Sequence, residues 1–129
     1  MSANATANPG DDQMSRRQER VSELLKAEIA RVLHRDVTDP RVRMVTVTRV
    51  DCSPDLTNAL IFWSSIETGD EAAVERIEDG LASAAPFVRR HIARVLPLRR
   101  TPRLEFRYDP SIEQGARMAS LLKEVGEGE

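Results

Sequence analysis

Seventeen arginines against two lysines supply the basic residues of this 129-residue chain, and seven of those arginines fall between positions 88 and 109. Arg89, Arg90, Arg94, Arg99, Arg100, Arg103 and Arg107 are opposed there by Glu105 and Asp109 alone, a local charge of +5. A guanidinium is a planar fork of donors that matches phosphate oxygens two at a time, so this cluster suits a nucleic-acid backbone. On a helix turning 100° per residue, Arg90 and Arg94 lie about 40° apart, opposite an apolar stripe of Val88, Ile92 and Val95. If that stripe is core, both arginines point to solvent. Arg99, Arg100 and Arg103 follow across a connection that holds Pro97 and Pro102, and Arg16, Arg17 and Arg20 extend the patch where the first helix starts nearby. The competing reading is a solvated cationic face paired with Asp70, Glu71, Glu75, Glu78 and Asp79. Codon preference would give the same excess of arginine over lysine, so the clustering carries the argument and the residue choice does not.

Other chemistry is poorly supplied. The chain has no Gly-rich phosphate loop, no Gly-x-Ser-x-Gly elbow and no His-Glu-x-x-His pair, so the reading is a non-enzyme without metal or cofactor. His34 suits the C-terminal end of a helix, and His91 sits at the margin of an apolar stripe, so both read as structural histidines. Cys52 reads as a small buried hydrophobe, and a lone cysteine rules out an internal disulfide. Glu28 falls amid Val21, Leu25 and Val32, where a carboxylate needs a partner; an arginine is the expected one. Phe62 and Trp63 are neighbours on a strand, so one is core and the other is half-buried or free to stack.

These residues must be positioned by a small set of elements. Ser15 and Gln18 form a capping box ahead of Val21, Leu24, Leu25, Ile29, Val32 and Leu33, which predicts a helix to about residue 35. Residues 42–50 and 56–65 read as two strands across the Ser53-Pro54-Asp55 turn, an antiparallel hairpin. Gly69-Asp70 opens a second helix with Val74, Ile77, Leu81 and Ala84 on one face. Pro86 should break it, with a third helix resuming to Pro97. Leu104, Phe106 and Tyr108 alternate with Arg103, Glu105 and Arg107 in a third strand. A last helix is expected over residues 111–124, with Ile112, Ala119 and Leu122 inward.

Length and composition bound the rest. Some 129 residues at 40% hydrophobic and 31% charged predict one globular domain over residues 15–124. An N-terminal tail (1–14) and a short acidic end (125–129) flank it. Residues 36–87 carry −6 and residues 16–35 carry +3, so the near-neutral total conceals a bipolar surface. Nothing in the sequence reads as a membrane span or signal peptide, which predicts a cytoplasmic protein.

In order and spacing, several of these pieces resemble one family. Arg20-Val21, Asp39-Pro40-Arg41, Asp55-Leu56, Phe87-Val88-Arg89, Leu98-Arg99, Pro102-x-Leu104-x-Phe106 and Tyr108-Asp109 are similar to motifs of the ribosome-binding factor A family, from about Arg17 to Leu122. The resemblance implies an α+β, type II KH-like fold (α-β-β-α-α-β and a C-terminal helix), with a three-stranded sheet and helices on one face. It also implies an interrupted helix in place of the Gly-x-x-Gly loop of KH domains. Here the interruption falls on Ala84-Ala85-Pro86, where the family has Ala-x-Gly; proline can break a helix but lacks glycine's access to positive φ. The implied function is non-enzymatic: binding, as a monomer, to free 30S subunits and not 70S ribosomes, contact with 16S rRNA, and assistance to processing of the 16S 5′ end. The residues the resemblance points to for RNA contact are Arg89, Arg90, Arg94, Arg99, Arg100 and Arg103. A small α+β dimerisation or protein-interaction module, with its charges used for solubility, is the alternative.

Overall fold

A computed structural model describes residues 14–111, 119 and 121–123. Residues 1–13 of the expected N-terminal tail, the acidic end and Ile112 lie outside the described residues. Helix α1 (Arg16–Arg35) starts on the expected capping box: the Gln18 amide donates to Ser15 Oγ at 3.1 Å, and the Ser15 amide to Gln18 Oε1 at 2.9 Å. Val21, Leu25, Ile29, Val32 and Leu33 are its buried stripe. Leu24, assigned to the same stripe on spacing, is instead 40% exposed. Gln18 does a second job, donating from Nε2 to the Cys52 carbonyl at 2.9 Å and so tying the helix start to the end of the first strand.

Strands β1 (Val45–Cys52) and β2 (Asn58–Ser65) form the antiparallel hairpin, and β3 (Arg103–Tyr108) joins β2 in parallel, for the sheet order β1-β2-β3. A parallel neighbour requires a crossover, supplied here by helix α2 (Glu71–Val95). The register of β1 on β2 shifts between Val47 and Arg49, a bulge at Thr48, whose hydroxyl donates to Asp109 Oδ2 at 2.9 Å. The inward rows of the sheet close over Trp63, Ile61, Val47 and Val50 against the buried faces of α1 and α2. Trp63 is fully buried, its ring centroid 5.0 Å from that of Tyr108. Phe62 is the half-buried one, and the Arg49 guanidinium already lies 4.2 Å over its ring.

The interruption expected at Ala84-Ala85-Pro86 is not a gap: Glu71–Val95 is one helix with Pro86 inside it. The physical reason is the phase of the apolar stripe. Ile77, Leu81, Ala84, Val88 and Ile92 are all buried, and at 100° per residue they stay within an arc of about 80°, unshifted across the proline. One continuous face therefore packs on one core, and a break would strip half of it. Pro86 points the opposite way, into solvent, as does Ala82, whose carbonyl loses its helical donor to the proline and can be hydrated instead. The expected order of elements is thus kept, with its two central helices fused into one. The inward placement expected of Ala119 and Leu122 does not hold, since both are exposed. Two apolar positions do not make a stripe unless a neighbouring element lies against them.

Gly80, in the middle of α2, marks a close approach. A Cβ there would stand 2.9 Å from Arg41 Cβ and 3.0 Å from Val42 Cγ1, in the short 3-10 turn Pro40–Val42. That turn is braced by Asp39, which accepts from the Arg41 amide at 2.9 Å and pairs with its guanidinium. The Arg41 side-chain hydrogen bonds hold the Asp39 carboxyl below its ordinary value.

Candidate nucleic-acid interface

The arginines of the cluster do not share one environment, because α2 presents different flanks to different neighbours. Arg89 faces β3: its Nε donates to the Pro102 carbonyl at 3.0 Å and its Nη2 to the Thr101 carbonyl at 2.8 Å. It clamps the α2–β3 connection, so of the predicted contact residues it is the one whose donors are first committed to the fold. On the other flank Arg94 approaches His91, with Nη2 3.4 Å from Nδ1, and His91 Nε2 lies 2.8 Å from Glu28 Oε2 on α1. A carboxylate only accepts, so the hydrogen in the closer contact belongs to His91 Nε2. Glu28 thus finds a histidine as its main partner, with Arg31 4.0 Å away as a second. His91 is the structural histidine its place beside the stripe predicts. Sequence spacing located both groups but could not reveal that they face each other across two helices.

Arg90, Arg99, Arg100 and Arg103 are exposed and have no carboxylate partner among the described residues. Arg107 differs, being paired with Glu105 at 2.7 Å. The acids of α2 take none of the arginine cluster: Asp70 caps the helix by accepting from the Ala73 amide at 2.8 Å, and Glu71, Glu75, Glu78 and Asp79 are exposed without an ion pair among the described residues. The competing reading of a self-neutralised cationic face therefore fails on geometry.

The unpaired arginines border two grooves on either side of the α2–β3 connection. One, of about 610 Å³, runs between α2 and β3, where Ala82, Ala85, Pro86 and Ala93 leave a low wall beside Arg89, Arg90 and Arg103. The second, of about 580 Å³, brings Arg17 and Arg20 from α1 to Arg99 and Arg100, so the start of the first helix does extend the patch. Leu24 and Leu56 line this second groove, which accounts for the exposure of Leu24. Leu56 stands at φ 60°, in the left-handed region that costs a residue with a Cβ about 1–3 kcal/mol. The turn holding it is built by Asp55, whose Oδ1 accepts from Ser53 Oγ at 2.8 Å, Thr57 Oγ1 at 2.7 Å and the Thr57 amide at 3.1 Å. The hydroxyls of Thr57 and Ser53 hold the Asp55 carboxyl below its ordinary value. The Ser-Pro-Asp signal marks this turn in the sequence, but nothing there places it beside four arginines.

Cys52 is buried, and burial pushes its thiol up, which keeps it protonated and unreactive. No helix among the described residues is long and apolar enough to cross a membrane. Among the described residues, a mixed three-stranded sheet packed against α1 and α2 and bordered at one end by arginines without carboxylate partners defines a small α+β domain with a surface suited to polyanions.

Comparison with known proteins gives that class a family. The chain matches the family described as ribosome-binding factor A over residues 17–122, and it belongs to that family. It is 44% identical over 113 residues to ribosome-binding factor A of Trichlorobacter lovleyi, covering 88% of this chain and 90% of the relative. It is 41% identical over 112 residues to that of Pelobacter propionicus, covering 87% and 90%. Among solved structures, the crystal structure of ribosome-binding factor A from Thermus thermophilus superposes with a TM-score of 0.62 at 26% identity, covering 70% of this chain and 93% of that one. A homology model of the Thermus thermophilus factor, fitted into a cryo-EM map of its complex with 30S, gives a TM-score of 0.56 at 27% identity, covering 69% and 91%.

Proposed function

We propose that this chain is a non-enzymatic assembly factor of the small ribosomal subunit, binding free 30S particles as a monomer through 16S rRNA and assisting maturation of the 16S 5′ end. The observation that carries the reading is the row of arginines along both grooves that have no carboxylate partner among the described residues, on a domain whose family relatives bear the name ribosome-binding factor. A fitted 30S complex of the Thermus thermophilus factor supports the choice of particle. Guanidinium groups on a cytoplasmic protein of this kind would neutralise rRNA phosphates, releasing counterions on binding. If Arg17, Arg20, Arg90, Arg99, Arg100 and Arg103 each meet one phosphate of single-stranded RNA, affinity should fall with salt along a log–log slope of about −4.

The test is co-sedimentation with purified 30S subunits and 70S ribosomes on gradients, with wild type and Arg90→Glu/Arg103→Glu. The expected result is wild-type migration with 30S alone, and loss of that migration in the variant at an unchanged unfolding temperature. Undiminished co-sedimentation of the variant would overturn the assignment of the arginine surface. Equal wild-type binding to 70S would overturn the preference for the free subunit. For 5′-end processing, cells depleted of the protein should accumulate 5′-extended 16S precursor, and wild type but not the variant should clear it.

A further inference from the structure

The groove between the start of α1 and the α2–β3 connection has features that phosphate binding alone does not call for. We infer that it seats one unstacked nucleotide of single-stranded RNA, its phosphate held by the arginines and an exocyclic amino group of its base donating to Asp55. The inference rests on the reading that this end of the domain binds RNA, and it adds which state of RNA and which bases.

Three observations carry it. The groove's volume, about 580 Å³, lies in the range of sites that enclose a small ligand, and Val21, Leu24, Leu56 and Leu98 line it with apolar surface beside Arg17 and Arg20. A duplex backbone would use the arginines and leave those side chains facing water. A splayed-out base would cover them, and guanidinium planes are surfaces on which bases stack. Next, the turn holds a leucine in the left-handed region, where glycine or asparagine would be accommodated without strain, and so commits an apolar side chain to the groove wall. Last, a carboxylate borders the groove among arginines yet pairs with none of them among the described residues. The hydrogen bonds that Asp55 accepts from Ser53 and Thr57 all fall on Oδ1, which leaves Oδ2 as an acceptor. A carboxylate repels phosphate, so its presence beside an anion site is best used on a donor. Adenine, cytosine and guanine carry an exocyclic amino group; uracil offers mostly carbonyl acceptors on the same edge.

The experiment measures binding of the full chain to dye-labelled eight-nucleotide RNAs by fluorescence anisotropy. One RNA is all uridine, and three carry a central adenosine, cytidine or guanosine; an RNA duplex of equal length is the control. Wild type should bind the three substituted strands about tenfold more tightly than oligouridine. Asp55→Asn keeps an oxygen for Ser53 and Thr57 but turns the second position from acceptor to donor. It should abolish the preference and leave oligouridine bound at least as tightly as the others. Leu24→Ser, at an already exposed position, should weaken every single strand several-fold and leave the duplex unchanged. Equal wild-type affinity for all four strands would overturn the inference, as would a preference that survives Asp55→Asn. If either result came with loss of 30S binding in Arg90→Glu/Arg103→Glu, the wider function would stand and this inference alone would fall. The wild-type comparison needs no variant, so poor folding of Asp55→Asn would not remove the test.

Discussion

Replacing Arg89 and Arg90 in turn by alanine separates two roles that their shared chemistry conceals. The neighbours are the same residue type on the same helix, yet Arg89 spends two donors on the Thr101 and Pro102 carbonyls and Arg90 spends none among the described residues. Buried hydrogen bonds from a charged donor are worth about 1.5–3 kcal/mol each. The Nε bond is only part-buried and the Nη2 bond is exposed, so solvent screening reduces the pair to roughly 1–2 kcal/mol in total. For a domain of this size that is a fall of about 3–8 °C in unfolding temperature. Arg90→Ala removes an exposed side chain with no partner, so its stability should stay within about 0.5 kcal/mol of wild type. The RNA measurement should run the other way. Arg90→Ala lowers the salt slope of RNA binding by about 0.7, while Arg89→Ala, at a temperature where it is fully folded, changes the slope by less. Urea or thermal unfolding by circular dichroism gives the first quantity, and anisotropy titrations from about 50 to 300 mM salt give the second. Equal stability of the two variants, with equal loss of salt slope, would refute the assignment of Arg89 as a clamp.

Three other perturbations read the frame that holds this surface. Gly80→Ala gains about 1 kcal/mol of helix propensity but puts a Cβ within 2.9 Å of Arg41 Cβ, and overpacking of that kind costs about 1–3 kcal/mol. The expected net result in urea unfolding is a loss of up to about 2 kcal/mol, and a gain would show that the 3-10 turn moves aside freely. Pro86→Ala restores an amide for the solvent-facing Ala82 carbonyl and should stabilise α2 by roughly 1–2 kcal/mol; a lower melting temperature would mean the proline is needed for the packing of the helix. Asp109 is held below the ordinary value of 3.8 chiefly by the Ser111 amide, then by the Ser111 and Thr48 hydroxyls. A depressed carboxyl contributes stability above its unfolded pKa and loses it as pH falls through the folded one. Asp109→Asn should therefore lower stability at about pH 6 and flatten its decline below about pH 4; an unaltered acid limb would remove Asp109 from that account.

The elements were legible because each rests on local chemistry. The Ser15–Gln18 box, the alternation of Leu104, Phe106 and Tyr108, and the Ser53-Pro54-Asp55 turn announce themselves within a few residues, and the structure has each of them. Pro86 shows where a local rule is outweighed. Proline disfavours a helix interior by about 3 kcal/mol, but a stripe in unbroken phase on both sides buries enough apolar surface to exceed that. The phase was in the sequence, and counted through the proline it argues for one helix. Leu24 illustrates the opposite gap: its spacing puts it on the inner stripe, yet the chain leaves an open groove over it. Parallel pairing of β2 with β3, the Gly80–Arg41 approach and the Glu28–His91 contact all join residues distant in sequence, where no periodicity applies.

The site was legible as charge but not as geometry, and the difference follows from how α2 is surrounded. Its buried face meets the sheet, one flank meets β3 and the other meets α1. An arginine on the β3 flank finds backbone carbonyls, as Arg89 does, and one beside the α1 flank finds the His91–Glu28 pair, as Arg94 does. Among the described residues the outward face has no hydrogen-bonding or ion-pair partner for Arg90, which keeps its donors there. Beyond the helix, the connection turns Arg99 and Arg100 toward Arg17 and Arg20 because β3 must return parallel to β2, which carries the chain back past the start of α1. The same topology therefore sorts the arginines, using some to fasten the connection and leaving the rest beside two grooves. A polyanion gains most where the protein itself leaves a guanidinium unanswered, and on this fold that condition is met at the two grooves and not evenly along the cluster.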